Sequence, residues 1–150
     1  MWLKNEYGNQ PVYITENGVS DLGGTNDTVR VDFYNHYLDN VLRAINEGAD
    51  VKGYIAWSLM DNFEWRAGYT ERFGLYHVDY KSPNKTRVAK MSARAYKKLV
   101  ATNKIDFNYY PEPEVFIETP KEYISYCSNG TFIKINMLLL LLSVISKCFR

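Results

Sequence analysis

The sequence predicts an α/β fold from the order of three segments. Residues 11–15 and 51–59 are short apolar runs, rich in β-branched and aromatic side chains and flanked by turn-forming residues, as is typical of buried strands. Between them, residues 29–47 carry apolar side chains at intervals of three and four, which indicates an amphipathic helix. A strand, a helix and a second strand in this order form a βαβ unit, in which the two strands lie parallel.

The remaining elements follow in order along the chain. Gly48 is the expected C-terminal stop of the helix, because glycine readily adopts the conformation that ends helices. The run at 51–59 is almost continuously apolar, so we expect a strand covered on both faces. Residues 73–80 alternate like a strand and residues 87–100 predict a second helix, which gives two β-α units. From residue 108 onward, the sequence changes to a linker-like stretch and a tail without a continuing pattern.

The composition excludes several classes of partner and site. The 150 residues include 18 Lys and Arg against 17 Asp and Glu, a formal net charge of +1, so no summed field favours nucleic acid or an anionic membrane surface. Cys127 and Cys148 are too few for a disulfide scaffold and lack the companions that a zinc site needs, so we expect no metal. The apolar run at 137–146 is shorter than the roughly 17 to 25 residues that span a bilayer. We therefore expect no transmembrane helix.

Two residues stand where chemistry collects in α/β folds. Glu16 and Trp57 follow the two predicted parallel strands, and sites in such folds gather at the carboxyl ends of the strands. Taken alone, Glu16 reads as a solvated residue at a strand end, and Trp57 reads equally well as core packing. The residues around them favour a functional interpretation.

Three blocks carry a resemblance to a known family. They read VYITENG at 12–18, GYIAWSLMDNFEW at 53–65 and RFGLYHVDY at 72–80. In this order and spacing they resemble the C-terminal part of glycoside hydrolase family 1 β-glucosidases over roughly residues 2–107. The resemblance implies a partial (β/α)8 TIM barrel that holds the last two β-α units only, as a domain over 1–107. Residues 108–150 then form a linker and an unmatched, irregular tail with a short apolar run.

The resemblance also implies an activity and a set of site residues. Glu16 matches the catalytic nucleophile at the end of the seventh barrel strand. Trp57, Glu64 and Trp65 match residues that hold the hydroxyls of the sugar, and Phe73 matches an aromatic wall of the same subsite. The implied reaction is hydrolysis of β-glycosides with retention, without a metal or an organic cofactor.

These residue types suit the implied chemistry. A retaining glycosidase needs a carboxylate that attacks the anomeric carbon and a second carboxyl group, about 5 to 5.5 Å away, that protonates the leaving oxygen. In the family this second group belongs to an Asn-Glu-Pro block, which does not occur in this sequence. We therefore expect a fragment that is inactive alone, because it lacks the proton donor. We also expect it to be marginally stable or prone to aggregation, because two strands leave backbone edges unpaired.

Two other functions stay open at this point. The chain could be a non-catalytic carbohydrate-binding module that uses Trp57, Glu64 and Trp65, or an interaction fragment that docks another chain on its exposed sheet edge.

The sequence also contains three Asn-x-Thr acceptors for N-linked glycans, at Asn26, Asn84 and Asn129. They favour an extracellular or lumenal location.

Overall fold

The computed structural model describes residues 1–115 and, further along, the backbone of residues 124–126 and 132–134. The chain divides into one unit of Met1–Phe116 and a second of Ile117–Arg150. In the second unit, strands Ile124–Tyr126 and Phe132–Lys134 pair antiparallel. The first unit contains, in order, α1 (Trp2–Tyr7), β1 (Val12–Asn17), α2 (Thr28–Asn46), β2 (Val51–Ala56), a 3-10 turn (Trp65–Ala67), β3 (Tyr76–Val78), β4 (Arg87–Ala89) and α3 (Met91–Thr102).

The structure confirms the predicted βαβ unit. Strands β1 and β2 pair in parallel, with Val12 opposite Val51 and Ile14 opposite Tyr54. Helix α2 connects them and ends where the sequence predicts, since Gly48 has a φ of +86°, in the region that favours glycine. The short helix α1 was not predicted.

The expectation that residues 51–59 form a strand covered on both faces is wrong in this structure. Strand β2 ends at Ala56, and Ile55 is 59% exposed. The helices cover one face only, because Tyr54 and Ala56 pack against the core around Tyr34. An apolar run therefore gives a half-exposed strand here.

The prediction of a helix over 87–100 is wrong at its start. Residues Arg87–Ala89 form β4, which pairs antiparallel with β3, and α3 begins at Met91. The strand predicted over 73–80 is correspondingly short. Hydrogen bonds to a neighbouring strand decide the conformation of Arg87–Ala89, and such pairing leaves no trace in helical spacing.

The residues that follow α3 contact earlier elements of the first unit. The Tyr110 hydroxyl donates to Asp32 at 2.5 Å, and the Ala89 amide donates to the Glu114 carboxylate at 2.9 Å. The predicted boundary between residues 107 and 108 stays a prediction.

A cluster of buried charges lies beneath these elements. Arg30 is fully buried; it donates to the Asp27 carboxylate at 2.5 Å and forms an ion pair with the Asp21 carboxylate at 2.7 Å. It also donates to three backbone carbonyls, those of Val19 at 3.1 Å, Gly74 at 3.1 Å and Arg72. One guanidinium on α2 thereby connects the loop that follows β1 with the segment that precedes β3.

Asp61 is the second centre of this cluster. It is 1% exposed and accepts hydrogen bonds from Lys90 Nζ at 3.0 Å and from the Gly74 amide at 3.0 Å. Burial lowers the pKa of Lys90, and the Asp61 carboxylate opposes that shift. Burial also lowers the pKa of His77 and thereby favours the neutral imidazole. The Asp61 carboxylate, 3.5 Å from His77 Nδ1, opposes that shift.

We expect Arg30→Met to destabilise the first unit by about 3 to 5 kcal/mol, because it leaves the buried Asp27 carboxylate without its cation and removes the nearer of the two cations beside Asp21. The matched control is Arg43→Met on the same helix, since Arg43 is exposed and pairs only with Asp39 of α2 among the described residues; its expected effect is below about 1 kcal/mol. Urea unfolding followed by tryptophan fluorescence measures both. Equal losses in the two variants would contradict the assignment.

Candidate functional site

Glu16 lies on an irregularity of β1. Ile14 pairs with Tyr54 and Asn17 pairs with Ala56, so β1 advances three residues where β2 advances two. The extra residue is a β-bulge, and it makes Thr15 and Glu16 successive exposed residues in a strand that otherwise alternates. The bulge therefore presents Glu16 to solvent at the carboxyl end of the strand.

Trp57 lies beside this strand end. Its amide donates to the carbonyl of Asn17 at 2.8 Å, which continues the pairing past the last residue of β2. The backbone of Gly18 approaches it so closely that a Cβ atom there would lie 1.8 Å from the Trp57 carbonyl oxygen. The Trp57–Ser58 peptide bond is cis, and the residue as a whole is 36% exposed. The structure thus brings the first two candidate residues together.

Phe73 reaches the same place from a different segment. Its carbonyl accepts the Ser58 amide at 3.2 Å, and the Ser58 carbonyl accepts the Leu75 amide at 2.9 Å. Gly74 makes this approach possible, because a Cβ there would lie 2.0 Å from the Asp61 amide nitrogen. Phe73 is half-buried, and its backbone is hydrogen-bonded to Ser58, the residue after Trp57.

Glu64 and Trp65 lie further along the loop that leaves β2. The loop turns back on itself through hydrogen bonds from the Glu64 amide to the Gly68 carbonyl at 2.6 Å and from the Ala67 amide to the Glu64 carbonyl at 2.9 Å. Trp65 is 84% exposed. Glu64 is half-buried, and its Oε1 has no hydrogen-bond partner within residues 1–115. The described residues supply no hydrogen bond from this turn to Glu16, so its place in a common site stays a prediction.

Sequence reasoning missed the side chains that hold the two strand ends. The Tyr54 hydroxyl donates to Asn17 Oδ1 at 2.6 Å, and the Tyr34 hydroxyl donates to the Trp57 carbonyl at 3.1 Å. Burial raises the pKa of Tyr34 to about 12, so this phenol is protonated at neutral pH. Nothing in the spacing of these tyrosines distinguishes them from ordinary core residues.

Among the described residues, no group of three or more His, Cys, Asp and Glu side chains could hold a metal ion. No helix within that part of the chain is both long and apolar enough for a membrane span. Cys127, Cys148 and the apolar run at 137–146 lie outside the described residues.

Comparison with known proteins identifies one family. The profile described as glycosyl hydrolase family 1 matches residues 1–105. The lactase/phlorizin hydrolase of Homo sapiens is 47% identical over 124 residues, which cover 77% of this chain and 6% of that protein. A β-glucosidase from Thermotoga maritima, solved in complex with glucoimidazole, superposes with a TM-score of 0.67 at 38% identity. A rice β-glucosidase mutant, solved in a covalent complex with Glc, gives 0.63 at 46% identity.

The chain spans a minor part of each of these proteins. The match covers 70% of this chain and 25% of the Thermotoga protein, and 65% of this chain and 22% of the rice protein.

We expect Gly18→Ala to displace Trp57, because the new methyl group has no space beside the Trp57 carbonyl. Overpacking of this kind costs about 1 to 3 kcal/mol. Gly24→Ala is the control for backbone strain without a clash: its φ of +94° disfavours alanine, whereas Gly18 is not among the positive-φ glycines, and no atom lies within 4 Å of the Cβ added at Gly24. Urea midpoints and tryptophan emission measure both variants. The assignment fails if Gly24→Ala loses as much stability as Gly18→Ala and neither shifts the emission.

Proposed function

Because this chain belongs to glycosyl hydrolase family 1, we propose that it forms the last two β-α units of a (β/α)8 barrel and supplies the nucleophile of a retaining β-glycosidase. The fraction of the solved β-glucosidases that it covers supports this placement, since 22 to 25% of their chains corresponds to about two units of eight. The parallel β1–β2 pair, with a helix between, fits two neighbouring strands of such a barrel.

The observation that carries the proposal is the position of Glu16. Its carboxylate is exposed on a bulge at the carboxyl end of a parallel strand, next to Trp57, where active sites of such barrels are built. A carboxylate in this place can attack C1 of a bound sugar.

The proposed reaction has two steps. In the first, a Glu16 oxygen forms a bond to C1 while the bond from C1 to the glycosidic oxygen breaks, and a carboxylic acid from outside this chain protonates the leaving oxygen. In the second, the same outside group removes a proton from water, the water oxygen bonds to C1, and Glu16 leaves as a carboxylate. Two inversions at C1 give net retention.

The other candidate residues serve as the sugar subsite in this proposal. The indoles of Trp57 and Trp65 offer flat apolar faces to the C–H face of a pyranose, and each carries an N–H donor for a hydroxyl. Glu64 Oε1, which lacks a hydrogen-bond partner within residues 1–115, would accept from sugar hydroxyls. Phe73 would close the subsite as an aromatic wall.

The exposed asparagines support a further part of the proposal. Asn84, in the turn between β3 and β4, and Asn26, before α2, are both exposed, whereas Asn129 lies outside the described residues. We propose both as acceptors of N-linked glycans in a secreted or lumenal protein. Peptide mapping after enzymatic deglycosylation in 18O-water, on protein expressed with a secretion signal, should show labelled aspartate at Asn84. Unlabelled peptide there would contradict this assignment.

The activity is best tested in a complete barrel. Residues 1–105 replace the matching segment of the Thermotoga β-glucosidase, and hydrolysis of an aryl β-glucoside with a good leaving group is measured. We expect the graft to be active, the 150-residue chain alone to show no turnover because it lacks the proton donor, and Glu16→Gln in the graft to lose roughly a thousandfold or more in kcat. Glu6→Gln, at an exposed position on α1, is the matched control.

Covalent trapping identifies the nucleophile directly. A 2-fluoro glucoside should label the active graft, and peptide mapping should place the label on Glu16. A label on another residue, or turnover by the chain alone, would overturn the proposal. An active graft also separates this function from a carbohydrate-binding module, which would not hydrolyse the substrate.

A further inference from the structure

We propose that Tyr54 and Asn17 are positioning residues for Glu16, and that the hydrogen bond between their side chains fixes the β-bulge from which the nucleophile projects. This inference rests on the proposed function and adds residues that neither the motifs nor the strand-end position assigns.

The Glu16 side chain makes no hydrogen bond within the part of the chain that the structure describes. Its direction therefore follows from the backbone that carries it. That backbone is the bulge between Ile14 and Asn17, where regular pairing with β2 is interrupted. A bulge has fewer ladder hydrogen bonds than a regular strand, so its geometry needs support from elsewhere.

Asn17 supplies that support at the residue after Glu16. Its Oδ1 accepts the Tyr54 hydroxyl at 2.6 Å, and its backbone carbonyl accepts the Trp57 amide at 2.8 Å. One bond comes from a side chain of β2 and the other from the backbone that follows β2. Asn17 is thus fixed at two points, and the bulge is closed on its carboxyl side.

Tyr54 is a rigid donor for this purpose. Its ring packs against the core formed by Tyr34, Leu75 and Ala93. Burial raises the pKa of Tyr54, so the phenol keeps its proton at neutral pH. The core of the first unit is thereby connected to the strand end through a single hydroxyl group.

The position of Trp57 is held in a parallel way. Tyr34, buried on α2, donates to the Trp57 carbonyl at 3.1 Å. The Trp57 amide donates to the Asn17 carbonyl. Both strand ends are therefore hydrogen-bonded to each other and to tyrosines of the core, Tyr34 and Tyr54. Displacement of an attacking group by about 1 Å can cost on the order of a hundredfold in rate. Loss of one of these tyrosine hydrogen bonds is therefore expected to lower the rate of the chemical step.

The test is Tyr54→Phe in the active graft, since this change removes the hydroxyl and keeps the ring. We expect the rate constant for covalent labelling by the 2-fluoro glucoside, normalised to titrated active sites, to fall by roughly tenfold to a hundredfold. The dissociation constant of the noncovalent complex with the 2-fluoro glucoside, taken from the concentration dependence of labelling, should stay unchanged, because Glu16 forms no bond to this neutral sugar before the chemical step. Tyr37→Phe is the control, since Tyr37 is exposed and stacks on Phe33.

A double-mutant cycle decides whether the pair acts through one bond. Asn17→Ala should slow labelling, and the combined variant should be no slower than the slower single variant. A role in stability alone would lower the number of active sites and leave the normalised rate constant unchanged, and that result would overturn the inference. Additive losses would overturn it as well. If the label in the unsubstituted graft falls outside Glu16, it is the proposed function that fails.

Discussion

The geometry of the candidate site depends on the hydrogen bonds that surround the buried carboxylate of Asp61. A charge in the interior is costly unless donors surround it, and here Lys90 and the amide of Gly74 lie within hydrogen-bond distance. The backbone of the same residue adds two more bonds, from its amide to the Tyr76 carbonyl at 2.9 Å and from the Tyr80 hydroxyl to its carbonyl at 2.6 Å. These bonds fix the chain that leads into β3 against the chain that leaves β2. The contact between Ser58 and Phe73 follows from that attachment.

The sequence was sufficient for the elements that repeat a pattern over several turns. Helix α2 has a long, regular spacing, the two parallel strands are short apolar runs between turn-forming residues, and the stop at Gly48 has a clear local cause. Strand β4 could not be predicted, because three residues are too few to show a period and Val88 fits the helical spacing of α3. The buried charges could not be predicted either, because Arg and Lys side chains usually lie at the surface. The burial of Arg30 and Lys90 depends on partners far along the chain.

The candidate site divides in the same way. Glu16 and Trp57 could be placed at adjacent strand ends from the sequence, and the resemblance gave each residue a proposed role. The bulge beneath Glu16 could not be found, since a register shift belongs to the pairing of two strands and not to either strand alone. The bond from Tyr54 to Asn17 joins residues 37 positions apart. No local pattern reports such a contact.

The fold therefore separates two requirements of the proposed chemistry. Direction is set locally, by the bulge, the tyrosine hydroxyls and the close approach of Gly18 to Trp57, all within the first unit. The low-dielectric environment that the chemistry needs is not supplied locally, because Glu16 and the ring of Trp65 are exposed to water here. A carboxylate in water gains little from its neighbours, whereas preorganised groups act strongly only where water is excluded. In the proposed barrel the remaining strands would supply that exclusion along with the proton donor. This division explains why a segment that holds the proposed nucleophile is expected to need the rest of the proposed barrel before it can hydrolyse a glycoside.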